Sequence, residues 1–296
     1  MIDHVNMPKT VAIAGLGQMG FSLALALKEA DLCERLIAWS PFEEEVLAVS
    51  KLGVFEQVSI NEEEIFSQAD LTILCMPVPA LVDFAKNKAS IFKSGSIVTD
   101  ISSVKTEVVN KARPSFVEAG IHFIGSHPMC GSEKSGHEHS RSDLYKNRIV
   151  FVTSFCTDDP AACNILREFW RSLEARPIEV DASLHDDAVA HSSHMLHIMA
   201  SSISKVVLSG HNKDLKALAC AGGFRDFSRI ASSSPQMWTE VTRLNKEAVL
   251  RSLDEVMAEM QKTYDAVKYS DWDALYETLD EAKELRDNWW NNIYQS

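Results

Sequence analysis

Along the first half of the chain, short apolar runs alternate with stretches whose apolar residues recur every three or four positions. The runs are TVAIAG (10–15), RLIAW (35–39), LTILCM (71–76), SIVTDI (96–101), IHFIG (121–125) and RIVFVT (148–153). Runs this continuous suit strands buried on both faces, as in a parallel sheet covered by crossover helices. MGFSLALALKEA (19–30) carries the first helical pattern. After about residue 181 the strand signals stop. The segments beginning LHDDAVAH, PQMWTEVT and DWDALYET all place apolar residues at helical spacing. The expected architecture is α/β. An N-terminal doubly wound Rossmann-type domain (1–180) is followed by an all-helical C-terminal domain (181–296), with the boundary near PIEVDASLHDD.

The 296 residues suffice for one large domain or two ordinary ones. With 46 % apolar and 24 % charged residues, the composition is that of an ordinary soluble protein. A net charge of −13 repels nucleic acid and anionic membranes, which argues against both as partners. A small anionic substrate then needs a local cationic pocket. The six cysteines form no CxxC pair and read as buried thiols of a cytoplasmic protein. The apolar run from Val11 to Leu27 is interrupted by three glycines and Gln18, so it reads as neither signal peptide nor membrane span.

GLGQMG supplies Gly15, Leu16, Gly17, Gln18, Met19 and Gly20, with glycines in GxGxxG spacing between a strand and a helix. The first glycine permits a tight turn, the second lets the backbone approach a pyrophosphate, and the third lets helix pack on strand. The helix N-terminus adds free N–H groups and the positive end of its dipole. The second strand should end at the cofactor ribose. An acid there binds a 2′-hydroxyl, and an arginine favours a 2′-phosphate. This chain has Ser40, followed by Glu43, Glu44 and Glu45. Their charge disfavours a 2′-phosphate, so NAD is expected, with NADP possible. Ser40, Pro41 and Glu43 also fit a helical capping box. Met76 and Pro77, in CMPVPA (75–80), are expected to border the cofactor where the fourth strand ends.

HPMCGSEKSGHEH (127–139) packs three histidines, a cysteine and two glutamates into one stretch. Its residues alone admit a metal site, a catalytic loop or a polar connection. Both TDISSVK (99–105) and this stretch are expected just beyond strands of one sheet, emerging together at the cofactor edge. Taken with SHMLH (193–197), GGFRDFSRIA (222–231) and PQMW (235–238), they resemble the prephenate/arogenate dehydrogenases of tyrosine biosynthesis, in order and over nearly the whole chain. Cys130 stands where that family commonly has alanine, and Leu196 where it often has proline.

The resemblance implies oxidative decarboxylation of prephenate or arogenate, with hydride transfer to NAD(P). It names His127 as the group that takes the hydroxyl proton. Ser103 then supports His127 and the nicotinamide. Arg229 receives the substrate carboxylate, and His197 and His194 reach the substrate pocket. It also implies a homodimer through the helical domain, and a chain without an added regulatory or mutase domain. A neutral imidazole suits such proton chemistry at neutral pH.

A metal is not expected. His191, His194 and His197 would span about 600° of a regular helix at roughly 100° per residue, so the end pair would not stack. His137 and His139 read as solvated loop residues. Arg225 reads as structural, paired with Asp226 or a helix end, and Trp238 as core or pocket wall. Trp289, Trp290, Ile293 and Tyr294 form an aromatic cluster suited to packing, against a second subunit if one is present. One alternative is a β-hydroxyacid dehydrogenase of the same architecture, but Lys205 and Lys213 lack the GxxGxxxK-like setting that its catalytic lysine occupies. The other is a nucleotide-sensing protein without catalysis, which Ser103, His127 and Arg229 argue against.

Overall fold

The computed structural model describes residues 7–131, 134, 136–155 and 157–294. Ser132, Glu133 and Ser135 of the histidine motif, Cys156, and the side chains of Ile293 and Tyr294 lie outside the described residues. Six parallel strands form the main sheet: β1 (Thr10–Ala14), β2 (Arg35–Trp39), β3 (Gln57–Ser59), β4 (Leu71–Leu74), β5 (Ile97–Asp100) and β6 (His122–Phe123). Their spatial order is β3-β2-β1-β4-β5-β6, the doubly wound arrangement, with the switch in direction between β1 and β4.

Alternation along the strands builds two cores, because successive side chains point to opposite faces. Val11, Ile13, Leu36, Ala38, Leu71, Ile73 and Ile97 pack on one face with Leu23, Leu27, Phe169 and Trp170. Ala12, Ala14, Ile37, Trp39, Leu74 and Val98 pack on the other with Phe66, Phe84, Phe92 and Phe116. The helix Pro160–Ser172 shows how sequence sets such packing. Asp159 caps its first amides, Pro160 starts it, and Ala162, Cys163, Leu166, Phe169 and Trp170 bury one stripe.

The sequence pattern did not separate a second sheet from the first. β7 (Gly125–Pro128), β8 (Ile149–Thr153) and β9 (Arg176–Glu179) form a three-stranded sheet, antiparallel between β7 and β8 and parallel between β8 and β9. His127 therefore lies within a strand of this small sheet, not in a loop beyond a strand of the main one. The division falls at Gly125, where a Cβ would come within 2.5 Å of Thr153 Oγ1 and 3.3 Å of Asp100 Oδ1. Only glycine lets β7 pass this close to both neighbours.

Among the described residues every element after β9 is helical, beginning with Ala182–Val189. The chain divides into two compact units, one ending at Asn245 and the other beginning at Lys246. The second unit consists of the helices Lys246–Tyr269 and Trp272–Trp289 and a terminal π turn, Trp290–Tyr294. No described helix is long and apolar enough to cross a membrane.

Candidate active site

The glycine loop leaves β1 and enters the helix α1 (Gln18–Glu29) at the switch point. Gly15 has φ +102°, and a Cβ there would meet the Cys75 carbonyl oxygen at 2.4 Å, so the turn is pressed against the end of β4. Gly20 is packed as tightly, since its Cβ would lie 2.1 Å from the Gly15 carbonyl oxygen. At Gly17 a Cβ would meet nothing within 4 Å. Gly17 caps α1 without any side-chain hydrogen bond, and no acidic residue occupies the first turn. An open cradle facing uncapped amides fits a pyrophosphate. Met76 and Pro77 follow Cys75 beside this turn.

Ser40 sits fully buried at the end of β2, but not as a helix cap. The helix α2 (Glu43–Ser50) starts later, with Phe42 as its N-cap. Ser40 Oγ accepts from the Phe42 amide at 3.3 Å and donates to Glu45 Oε2 at 2.6 Å. The expected Ser40–Glu43 capping box is thus replaced by a short turn through Pro41 that ends on Glu45. Of the three acids, Glu45 is the one held at the strand end.

TDISSVK folds into a buried ion pair. Lys105 and Asp100 are fully buried in direct contact, and Lys105 Nζ also donates to the Ser126 carbonyl oxygen at 2.7 Å. Burial lowers the lysine pKa, and Asp100 opposes that shift. The Ser126 hydroxyl accepts from Thr99 Oγ1 at 2.8 Å and Trp170 Nε1 at 3.1 Å. The residue preceding His127 is thereby fixed to the main sheet and to its core.

His127 is buried on β7, and its Nδ1 lies 2.8 Å from Nε2 of His185. His185 Nδ1 lies 2.8 Å from Asp186 Oδ1. Asp186 also accepts from the backbone amides of Lys105 at 2.8 Å and Thr106 at 2.9 Å. Despite burial, these hydrogen bonds lower the Asp186 pKa, so it is a carboxylate at neutral pH. Burial, with His185, Lys105 and His194 nearby, pushes the His127 pKa well below 6.5. A neutral imidazole is able to accept a proton. His127 is oriented by the hydrogen bond between its Nδ1 and His185 Nε2. Neither His185 nor Asp186 stood out in the sequence, where LHDD reads as part of a helical pattern.

His191, His194 and His197 do not lie on one regular helix. Residues Ala190–His194 form a π turn between the helices Ala182–Val189 and Met195–Leu208, which breaks the phase assumed for a straight helix. His191 and His197 each direct Nδ1 to a carbonyl oxygen four residues back, at 2.9 and 3.0 Å. His194 is fully buried, with Nδ1 3.2 Å from Asn245 Nδ2. Burial lowers its pKa to about 4, against the field of Asp186 and the nearby Ser103 backbone. Among the described residues no cluster of three or more ligand side chains could hold a metal.

His194 meets Trp238 edge-on at 5.8 Å, and His197 stacks on the same indole at 3.4 Å. Trp238 Nε1 is buried without a hydrogen bond, an arrangement that favours a ligand or water able to accept from it. His197 and Trp238 line a cavity of about 410 Å³, together with Ser201, Ile230 and Thr242. Arg229 begins the short 3₁₀ turn after Gly222–Ser228 and is exposed; with burial, its charge helps lower the His197 pKa. Arg225 pairs with Asp226 at 2.9 Å, both exposed.

His137 packs on α1, whereas His139 is exposed and meets α1 through its backbone. His137 meets Phe21 edge-on at 5.8 Å, and the His139 carbonyl oxygen accepts from Gln18 Nε2 at 3.2 Å. Tyr145 donates to the Met19 carbonyl oxygen at 2.7 Å, so the chain after the histidine motif clamps the glycine loop. Burial pushes the Cys130 thiol up to about 12 and raises the Cys75 thiol, so neither is a nucleophile here.

A doubly wound sheet with a glycine-lined cradle at its switch point defines a dinucleotide-binding fold. Residues 23–179 match the family described as prephenate dehydrogenase, nucleotide-binding domain, and residues 181–281 match the prephenate dehydrogenase dimerization domain. The chain belongs to the prephenate dehydrogenase family. It is 33 % identical over 286 residues to prephenate dehydrogenase of Bacillus subtilis (strain 168), covering 95 % of this chain and 76 % of that one. It is 30 % identical to cyclohexadienyl dehydrogenase of Zymomonas mobilis over 283 residues, 94 % and 95 % of the two chains. The crystal structure of prephenate dehydrogenase from A. aeolicus in complex with hydroxyphenyl propionate and NAD+ superposes with a TM-score of 0.87 at 26 % identity, covering 95 % of this chain and 98 % of that one.

Proposed function

We propose that this chain oxidises and decarboxylates prephenate or arogenate with NAD as hydride acceptor, with His127 as the base. The observation that carries the reading is His127 itself. It is buried and neutral, anchored through Nδ1, and leaves Nε2 as the nitrogen to face substrate. When bound, NAD accepts the hydride from the ring carbon that bears the hydroxyl. Gly15, Leu16, Gly17, Gln18, Met19 and Gly20 hold its pyrophosphate, and Met76, Pro77 and Ser103 border it. His127 takes the hydroxyl proton. Departure of carbon dioxide makes the ring aromatic.

Arg229 holds a substrate carboxylate, since a protein of net charge −13 needs a cationic fork for a dianion. His197 and His194 line the pocket with Trp238. Glu45, fixed by Ser40, disfavours a 2′-phosphate and selects NAD over NADP. The nucleotide domain spans 1–180 and the helical domain 181–296, through which two chains pair. Exposed apolar side chains on the last two helices support that pairing, among them Met257, Met260, Tyr264, Trp272, Tyr276 and Leu279. Reduction of NAD is measured with prephenate, arogenate and a small 3-hydroxyacid in turn. Turnover of the 3-hydroxyacid alone, or of none of the three, overturns the reading.

A further inference from the structure

The buried contacts behind His127 carry a consequence beyond its role as base. We infer that His127, His185 and Asp186 form a relay in which the proton taken by His127 is passed on to His185 and rests beside Asp186. The inference rests on His127 as the proton acceptor.

The three side chains come from two elements. His127 is on β7, His185 and Asp186 are on the helix Ala182–Val189, and 58 residues separate the two histidines. Both histidines are buried, and so is Asp186. The Asp186 contact fixes one proton position. Asp186 is a carboxylate that accepts only, so His185 Nδ1 carries a proton toward it. The relay requires His185 to be neutral at rest, so that its Nε2 has a lone pair and accepts from His127 Nδ1–H. That leaves the lone pair of His127 on Nε2, the tautomer a base requires.

The proton balance follows the same line. The substrate O–H bond breaks and an N–H bond forms at His127 Nε2. The His127 Nδ1–H bond then breaks and an N–H bond forms at His185 Nε2. The imidazolium ends on His185, in contact with the Asp186 carboxylate. His127 becomes neutral again with its protonated and bare nitrogens exchanged. The hydride leaves separately, to NAD.

Electrostatics favour this destination. His127 faces the Lys105 cation and the His194 ring, both of which oppose a positive charge on it. His185 faces the same His194 ring and the Phe151 ring, but it has Asp186 in direct contact. Asp186 is itself held by two backbone amides, so it does not turn away from His185. His185 and Asp186 are therefore positioning residues that act through His127.

The experiment compares His185→Gln and Asp186→Asn with wild type. Glutamine retains an acceptor for His127 Nδ1–H but cannot take up a proton. His185→Gln should lower kcat about ten- to a hundred-fold with KM within about twofold. The acid limb of the kcat–pH profile should move to lower pH, because the His127 imidazolium loses the share of its charge that rests beside Asp186. Asp186→Asn should move the limb in the same direction. In wild type without substrate, ¹⁵N-histidine NMR should find His127 protonated at Nδ1 and bare at Nε2. An unmoved acid limb with kcat within twofold in His185→Gln overturns the relay, as does an Nε2–H tautomer of His127. Should wild type reduce NAD with neither prephenate nor arogenate, the functional reading fails and the NMR tautomer still decides the relay.

Discussion

Arg229 and Arg225 stand four residues apart, and both are exposed. Arg225 is committed to its neighbour Asp226, while the charge of Arg229 acts on His197, which lines the cavity, as well as on Asp226. A lysine in place of Arg229 keeps the charge but loses the two parallel N–H donors of the guanidinium. Arg229→Ala should raise KM for the dianionic substrate and lower kcat/KM about thirty- to a thousand-fold, with Arg229→Lys recovering part of it. Arg225→Ala should stay within about threefold, as an exposed ion pair contributes little. Steady-state kinetics on the three variants check this, and a larger effect at Arg225 reverses the assignment. His127 and Arg229 were singled out in the sequence because they stand in motifs with distinctive neighbours. His185 and Asp186 were not, since their importance comes from a strand 58 residues away and LHDD has no spacing of its own.

The first strands, α1 and the glycine loop could be read directly, because continuous apolar runs and GxGxxG are local signals. Three elements escaped for physical reasons. The small sheet uses runs as apolar as those of the main sheet, so only the tertiary approach at Gly125 separates them. The π turn at Ala190–His194 has no composition that marks it. Ser40 satisfied the pattern of a cap, yet α2 starts after it and its hydroxyl goes to Glu45. Two comparisons test the cofactor loop at this scale. Gly20→Ala drives a Cβ into the Gly15 carbonyl and should lower the melting temperature by several degrees, about what 1–3 kcal/mol produces. Gly17→Ala meets open space, so stability should hold while NAD affinity falls about tenfold or more as the methyl fills the pyrophosphate cradle. Calorimetry and NAD titration separate the two, and a Gly17→Ala protein that binds NAD normally removes the cradle. At the other end of the cofactor, Glu45→Gln should raise kcat/KM for NADP about tenfold while leaving NAD nearly unchanged. An unchanged NADP rate would place Glu45 away from the ribose.

Across the whole molecule, the change from strands to helices could be read from periodicity alone. The compact unit that ends at Asn245 could not, because it joins the sheets to the first helices that follow through side chains far apart in sequence. Asn245 is one such link, donating to the Asp186 carbonyl oxygen at 2.7 Å and facing His194. This buried cluster has a consequence for stability. His194 has its pKa lowered to about 4 in the folded state, against about 6.5 for an unperturbed histidine in the unfolded chain. Between those values the unfolded chain holds a proton on this group that the folded protein does not. Stability therefore rises with pH across the window and falls as the pH drops from about 6.5 toward 4. His194 alone accounts for a loss on the order of 3 kcal/mol over that range. His127 and His197 are shifted the same way and add to the loss. Asp186 has the opposite origin. Its lowered pKa adds stability above the ordinary carboxylate value of about 3.9, and that is lost only on further acidification, below the histidine window. Urea unfolding at fixed protein concentration should show wild type weakening steadily from pH 7 to 4.5. In His194→Gln, where no proton is excluded at this position, the decline should be shallower by the His194 share. Parallel declines in the two proteins would show that His194 is protonated in the folded state.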